Sequence, residues 1–384
     1  MKIDPYKHQE RYIAWKKTVE NGIPAITKEN SEIIIRFLED MEIGLNVASK
    51  SAKGARSYIR LNTLRDKLTF FAKHFLERYN LQRITDVSED RLIKFFSDIR
   101  NGVIKRIDGE KYLSVDTFVK VFKSFWHWHQ KTSKKKGLEV LDITADLDTT
   151  SEKPDWVYLT EDQVKIIAEN ANLKHKILIY FLFDTGIRAP TELVNIRVSD
   201  FFNDFKELNI REEISKTFGR RIKLMICSDL IKQYVKNNNL QPDDQLFNIC
   251  PSHVNRYLKN LAKSLFGDKE SPAGQKYSQL TMYDFRHCSC CYWLPRYKSE
   301  SALKYRFGWK KSDKIHYYSE LLGMKDTIEQ QDLLVDVTKT EIEQQLEKAR
   351  KENDLLQEKI KSMEFQMTKI LEVVNKLNEN AISI

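Results

Sequence analysis

The chain has 384 residues, 31% of them charged and 11% aromatic, with a net charge of +9. That length is too great for one ordinary core, so two or three domains are expected. No apolar run approaches the about 18 residues of a membrane span and no secretory leader is visible, which excludes a membrane-embedded class and points to a reducing, cytoplasmic setting. The positive charge sits in the body. Residues 341–384 hold 7 Lys/Arg against 9 Asp/Glu and carry −2, so the rest carries +11. A basic, aromatic-rich body suits a polyanion such as nucleic acid, although many lysine-rich soluble proteins bind none.

Residues 1–27 are polar and weakly patterned, and read as an N-terminal arm. From residue 28 to 133 the text is helical. Ile33, Ile34, Phe37, Leu38 and Met41 recur at helical spacing. After a basic bridge (residues 50–56), a second amphipathic helix carries Leu61, Leu64, Leu68, Phe71, Phe75 and Leu76. A third, over Glu89–Ile99, points Leu92, Ile93 and Phe96 inward. A fourth starts near Ser114 and carries Phe118, Phe122, Phe125 and Trp126. The lysine run at residues 131–137 breaks this pattern. Residues 134–157 read as a basic linker that also touches phosphates.

A second domain spans residues 158–328. Thr160 is a good N-cap with an acidic turn behind it, and a buried helix follows from Ile177 to Phe183. Strand-like runs at Glu207–Ile210 and Arg221–Ile226 flank a turn, which places Lys216 on a hairpin. The fold class is therefore mainly α with a small β-hairpin or sheet: a helical domain, then a mixed α+β domain. The segment 329–384 closes the chain as a helix. There Leu346, Ala349, Asn353, Leu356, Ile360, Met363, Met367, Ile370, Val374 and Leu377 alternate by three and four residues. That is the a/d seam of a coiled coil with Asn353 at an a position, where a lone polar residue fixes register. Self-association is expected, against the alternative of one helix packed on its own body.

Three of five cysteines fall in Cys288-Ser289-Cys290-Cys291. Structural zinc sites pair ligands in two separated halves, and no second half exists here, so buried apolar thiols are the better reading. No metal and no cofactor is expected.

The most informative residues are an ordered set of cations and phenols. Arg188 lies in Thr185-Gly186-Ile187-Arg188, and Lys216 precedes Arg220-Arg221. Arg286 lies in Tyr283-Asp284-Phe285-Arg286-His287, followed by Phe307-Gly308-Trp309 and Tyr317-Tyr318. A phosphodiester under attack gathers charge on its non-bridging oxygens, and guanidinium forks match that geometry. Arg188 and Arg286 could clamp one phosphate, Lys216 could protonate the leaving alkoxide, and a late tyrosine could form a covalent phosphotyrosine. Each of these residues alone would be read as a surface charge or a core aromatic. The joint order and spacing favour chemistry.

This order resembles the tyrosine recombinase (integrase) family over about residues 28–325. Thr185–Arg188 with Glu192-Leu193 is similar to its first arginine box, Tyr283–His287 to its H-x-x-R box, and Phe307-Gly308-Trp309 to its "L-G-H" box, where some members carry Trp. Tyr318 stands nine residues after Trp309, the family's usual spacing to its nucleophile. The resemblance implies a helical core-binding clamp on double-stranded DNA, a catalytic domain, a 3′-phosphotyrosyl intermediate without metal or ATP, and a tetrameric synapse. It implies catalytic roles for Arg188, Lys216, Tyr283, Arg286, Trp309 and Tyr318, with Tyr318 preferred over Tyr317.

Three features depart from the pattern. Tyr283 replaces the box histidine, and a phenol donates a hydrogen bond but is a poor base at neutral pH. Variation there is similar to integrases of archaea and their viruses and plasmids. An extra residue lies between Arg188 and Glu192, with Pro190 inside, and the heptad tail is unusual. Two other readings stay open: a type IB topoisomerase that relaxes supercoils, and a degenerate relative that only binds and bridges DNA.

Overall fold

The structure, a computed structural model, describes residues 2–45, 54–151, 155–297, 299–322, and in the C-terminal stretch 346, 348–357, 359–364 and 366–368. It divides into two units: Met1–Trp293 with Ser299–Ser312, and Leu294–Lys298 with Asp313–Ile384. Among the described residues no helix is long and apolar enough to cross a membrane.

The first unit opens with five helices: α1 (His8–Thr18), α2 (Lys28–Glu42), α3 (Tyr58–Tyr79), α4 (Glu89–Arg100) and α5 (Val115–Lys134). Their core is a phenylalanine cluster. Phe71 meets Phe122 edge-on at 5.1 Å, Phe75 meets Phe95 at 5.0 Å and Phe37 meets Phe125 at 5.5 Å. Edge-to-face rings at these separations add attraction beyond their buried area. Thr27 caps α2 by accepting from the Asn30 N–H. Ser114 holds the N-cap position of α5, but its side chain caps nothing.

Two details differ from the sequence reading. Residues 1–27 contain a helix, which packs on α3 through Tyr12 and the Asn62 amide, a donor to the His8 carbonyl at 2.9 Å. Tyr12 is its one buried residue, so α1 carries no visible hydrophobic stripe. Ahead of it, the Ile3 backbone pairs at two points with the Asn195 amide, at 2.6 and 2.9 Å. In α4 the inward residue beside Leu92 and Phe96 is Phe95, whereas Ile93 is exposed.

The remainder of this unit begins with α6 (Glu161–Glu169) and α7 (Leu173–Thr185). Thr160 and Gln163 form a reciprocal capping box at the start of α6. The interior of α7, Ile177–Phe183, is buried apart from Tyr180. A three-stranded antiparallel sheet follows in the order β1 (Phe201–Phe202), β2 (Glu207–Ile210), β3 (Arg220–Lys223). The strand expected at Arg221–Ile226 stops at Lys223: the Leu224 N–H still reaches the Lys206 carbonyl at 2.8 Å, and the donors after it leave the sheet. The N–H groups of Met225, Ile226 and Cys227 all bond one Asp184 oxygen, at 2.9, 2.7 and 3.1 Å. Then come α8 (Ser228–Asn237), α9 (Pro251–Phe266), α10 (Asp284–Trp293) and α11 (Glu300–Phe307).

Cys288, Cys290 and Cys291 are buried in α10 as free thiols. Burial pushes the Cys291 thiol up to about 12 and the other two well above the ordinary range. They are core residues.

The second unit holds α12 (Asp313–Leu322) and the C-terminal helical stretch. Of the heptad seam, Leu346 to Met367 fall among the described residues, whereas Ile370, Val374 and Leu377 lie outside them, as do residues 46–53, 152–154 and 323–345.

Candidate active site

Helix α7 ends at Gly186, which adopts φ 56°. A side chain there would be strained and would overlap the Phe307 ring. The chain then turns to place Arg188 beside Glu192. That carboxylate takes the Arg188 backbone N–H at 3.0 Å and its Nη1 at 2.7 Å, so the extra residue at Pro190 still lets the two close. The same carboxylate takes Nη2 and Nη1 of Arg220, at 2.8 and 3.2 Å, and the Ser215 hydroxyl at 3.3 Å. Glu192 and Arg220 are both essentially inaccessible to water. Burial alone would raise the Glu192 carboxyl. The Arg220 hydrogen bond and charge, joined by the Arg188 charge, overcome this and hold it at about 2. Glu192 is therefore an ionised hub that locks one arginine of the set against the hairpin.

The other arginine comes from α10. Arg286 is buried, and its two Nη atoms donate to the carbonyls of Gly186 and Phe307. Its guanidinium carbon lies 5.4 Å from the Phe307 ring centre and 5.9 Å from that of Trp309, and those two rings stack at 4.9 Å. Asp284 anchors the start of α10. It accepts from the Thr281 N–H at 2.7 Å and reaches back to the Val157 N–H at 3.0 Å. Burial, then the nearby Arg188 charge, pulls the Arg286 guanidinium down to about 10, which leaves it protonated at neutral pH. Two like charges held this close are relieved by an anion placed between them.

Gly308 joins the pieces. Its carbonyl accepts from Arg188 Nη2 and from the Thr217 hydroxyl, both at 2.8 Å. It adopts φ 62°, and an added Cβ would lie 3.1 Å from Arg220 Nη1, 3.2 Å from Thr217 Oγ1 and 3.3 Å from Arg188 Nη1. The closeness of three elements here requires glycine. The β2–β3 loop is further pinned where Phe218 stacks on Tyr305 and where the Arg221 N–H donates to the Tyr305 hydroxyl at 3.1 Å.

The structure thus brings Arg188, Arg286 and Trp309 together around Gly308. Lys216 lies next to the pinned Thr217 with its side chain exposed. Tyr283 is 47% exposed, and its ring meets His287 edge-on at 5.1 Å. Tyr318 belongs to the second unit, on α12. It is buried, Tyr317 is half-buried, and the two rings lie 5.2 Å apart. Sequence reasoning gave no structural part to Glu192, Thr217 or Arg220. An Arg-x-x-x-Glu spacing before a hairpin rich in cations was the available signal for the first.

No family model and no curated protein matches the chain. Solved structures do. The Tn1549 transposon integrase in complex with a circular intermediate DNA superposes with a TM-score of 0.53 at 13% identity, over 77% of this chain and 95% of that one. A lambda integrase dimer bound to a core site gives 0.53 at 14% identity, over 78% and 79%. The XerH site-specific recombinase bound to its palindromic difH substrate gives 0.52 at 13% identity, over 69% and 77%. The fold is that of the tyrosine recombinases. Its small antiparallel sheet and run of helices are shared with those structures.

Proposed function

We propose that the chain is a site-specific DNA recombinase or integrase, cutting and rejoining double-stranded DNA through a 3′-phosphotyrosyl intermediate. The observation that carries this is the pairing of Arg188 and Arg286 around Gly308. Each guanidinium spends two donors on the protein and has others to offer a phosphate, out of five. In the proposed reaction the two forks hold the non-bridging oxygens. The Tyr318 hydroxyl loses its proton to solvent or a neighbouring base and forms the O–P bond. The bond from phosphorus to the 5′ oxygen breaks, and Lys216 supplies that oxygen's proton. Two guanidinium groups and an ammonium provide the positive charge at the phosphate. The phosphotyrosyl bond keeps the energy of the phosphodiester, so religation by the reverse step needs no ATP. Tyr283 donates a hydrogen bond to phosphate rather than moving a proton, and Trp309 packs the Arg286 side of the pocket. Three compared proteins of this fold are solved on DNA, which supports the same substrate here.

The rest of the chain fits this reading. Residues 28–133 serve as a core-binding clamp, 134–157 as a basic linker and 158–328 as the catalytic domain. The tail makes a homodimer, and two dimers form the tetramer on DNA. Tyr283 in place of histidine is what supports an integrase of the archaeal, viral or plasmid type.

The reaction is tested on duplexes, drawn from a randomised pool, that are nicked so that religation fails. The chain is expected to become covalently bound to DNA. Lys216→Ala is expected to slow that step by about 10²–10⁴-fold. A sulfur in place of the bridging 5′ oxygen, which leaves without a proton, restores the rate. Binding with no adduct overturns strand transfer. A slow Lys216→Ala variant that the sulfur does not rescue overturns the acid role.

A further inference from the structure

We propose that the C-terminal helix docks on the same helix of a second copy, parallel and in register, as a two-stranded coiled coil. This deepens the reading that the tail self-associates and is independent of strand transfer. Leu346, Leu356, Ile360, Met363 and Met367 lie on one seam, and each is at least 54% exposed in the single chain. A helix that leaves such a row in water needs a partner for it.

The seam also says which partner. β-branched Ile360 at an a position beside Leu356 at a d position favours two strands over three or four. Asn353 decides orientation. In a parallel, in-register pair it faces Asn353 of the second copy, and the two amides bond each other. In an antiparallel pair an a residue faces a d residue, and the described d residues Ala349, Leu356 and Met363 are all apolar, which strands the amide. The flanking charges agree. In the parallel pair Lys359 reaches Glu364 of the second copy and Glu352 meets Gln357, with no like charges opposed.

The test uses the full chain without DNA. The mass in solution is expected to be twice the 45.4 kDa of one chain. With exposed Cys250 replaced by serine, Leu346→Cys and Leu356→Cys variants are each expected to cross-link on mild oxidation. An outward Lys361→Cys control stays largely uncross-linked. A disulfide needs Cα atoms within about 7 Å, and an antiparallel pair across the described seam, with Leu346 facing Met363, would hold two copies of residue 346 about 25 Å apart. Mass of one, three or four chains overturns the proposal. So does a dimer in which neither seam cysteine cross-links, or one in which Lys361→Cys cross-links as readily.

Discussion

Arg286→Lys is expected to lower the rate of strand cleavage by about 10²–10³-fold, the usual cost of removing one donor from a charge-stabilising site. Lysine keeps the charge and the stem but loses the planar fork. In this structure the fork has two jobs. Two of its nitrogens hold the carbonyls of Gly186 and Phe307, and its remaining donors are the ones proposed to meet phosphate. The two are separated by measuring single-turnover cleavage at a temperature where both proteins are folded by circular dichroism. Binding to duplex DNA is expected to change little, because phosphate contacts spread over the clamp dominate affinity. Retained cleavage with lysine at 286 would remove this residue from the chemistry.

Glu192→Gln is expected to destabilise the fold by about 3–5 kcal/mol, the usual penalty for removing one partner of a buried ion pair. The glutamine amide fits the space but leaves the buried Arg220 guanidinium without a counter-charge. Arg188 keeps one acceptor oxygen in place of the two that hold its backbone N–H and its Nη1. Acid unfolding gives an independent sign. The folded carboxyl is held at about 2 against an ordinary 4.5. Its contribution is therefore complete above pH 4.5 and is lost as the pH falls from there through 2. The Gln variant lacks that portion of the acid sensitivity. Equal melting temperatures for the two proteins at pH 7 would show that Glu192 is no hub.

Much of this arrangement was legible in the sequence where one residue dictates local geometry. Thr160 with its acidic turn spelled a helix start, the apolar run Ile177–Phe183 a buried helix, and Lys216 a loop between strands. Other features depend on partners distant in sequence. The end of β3 is set by Asp184, some 40 residues earlier, which takes three backbone donors. Helix α1 buries a single tyrosine and so has no periodic signature. Phe95 rather than Ile93 turns inward because the phenylalanine cluster on α3 and α5 demands an aromatic edge there. The arginine boxes revealed which residues carry charge. That Glu192 ties Arg188 to Arg220 needs the hairpin to fold back against α7, and no local pattern states that.

The proposal of a phosphotyrosyl intermediate is tested most directly by isolating the covalent DNA adduct, digesting it and locating the modified residue by mass spectrometry. The expected result is a nucleotide joined through its 3′ phosphate to Tyr318, with the adduct abolished in Tyr318→Phe and kept in Tyr317→Phe. Modification at Tyr317, attachment through a 5′ phosphate, or an adduct that survives Tyr318→Phe would contradict it.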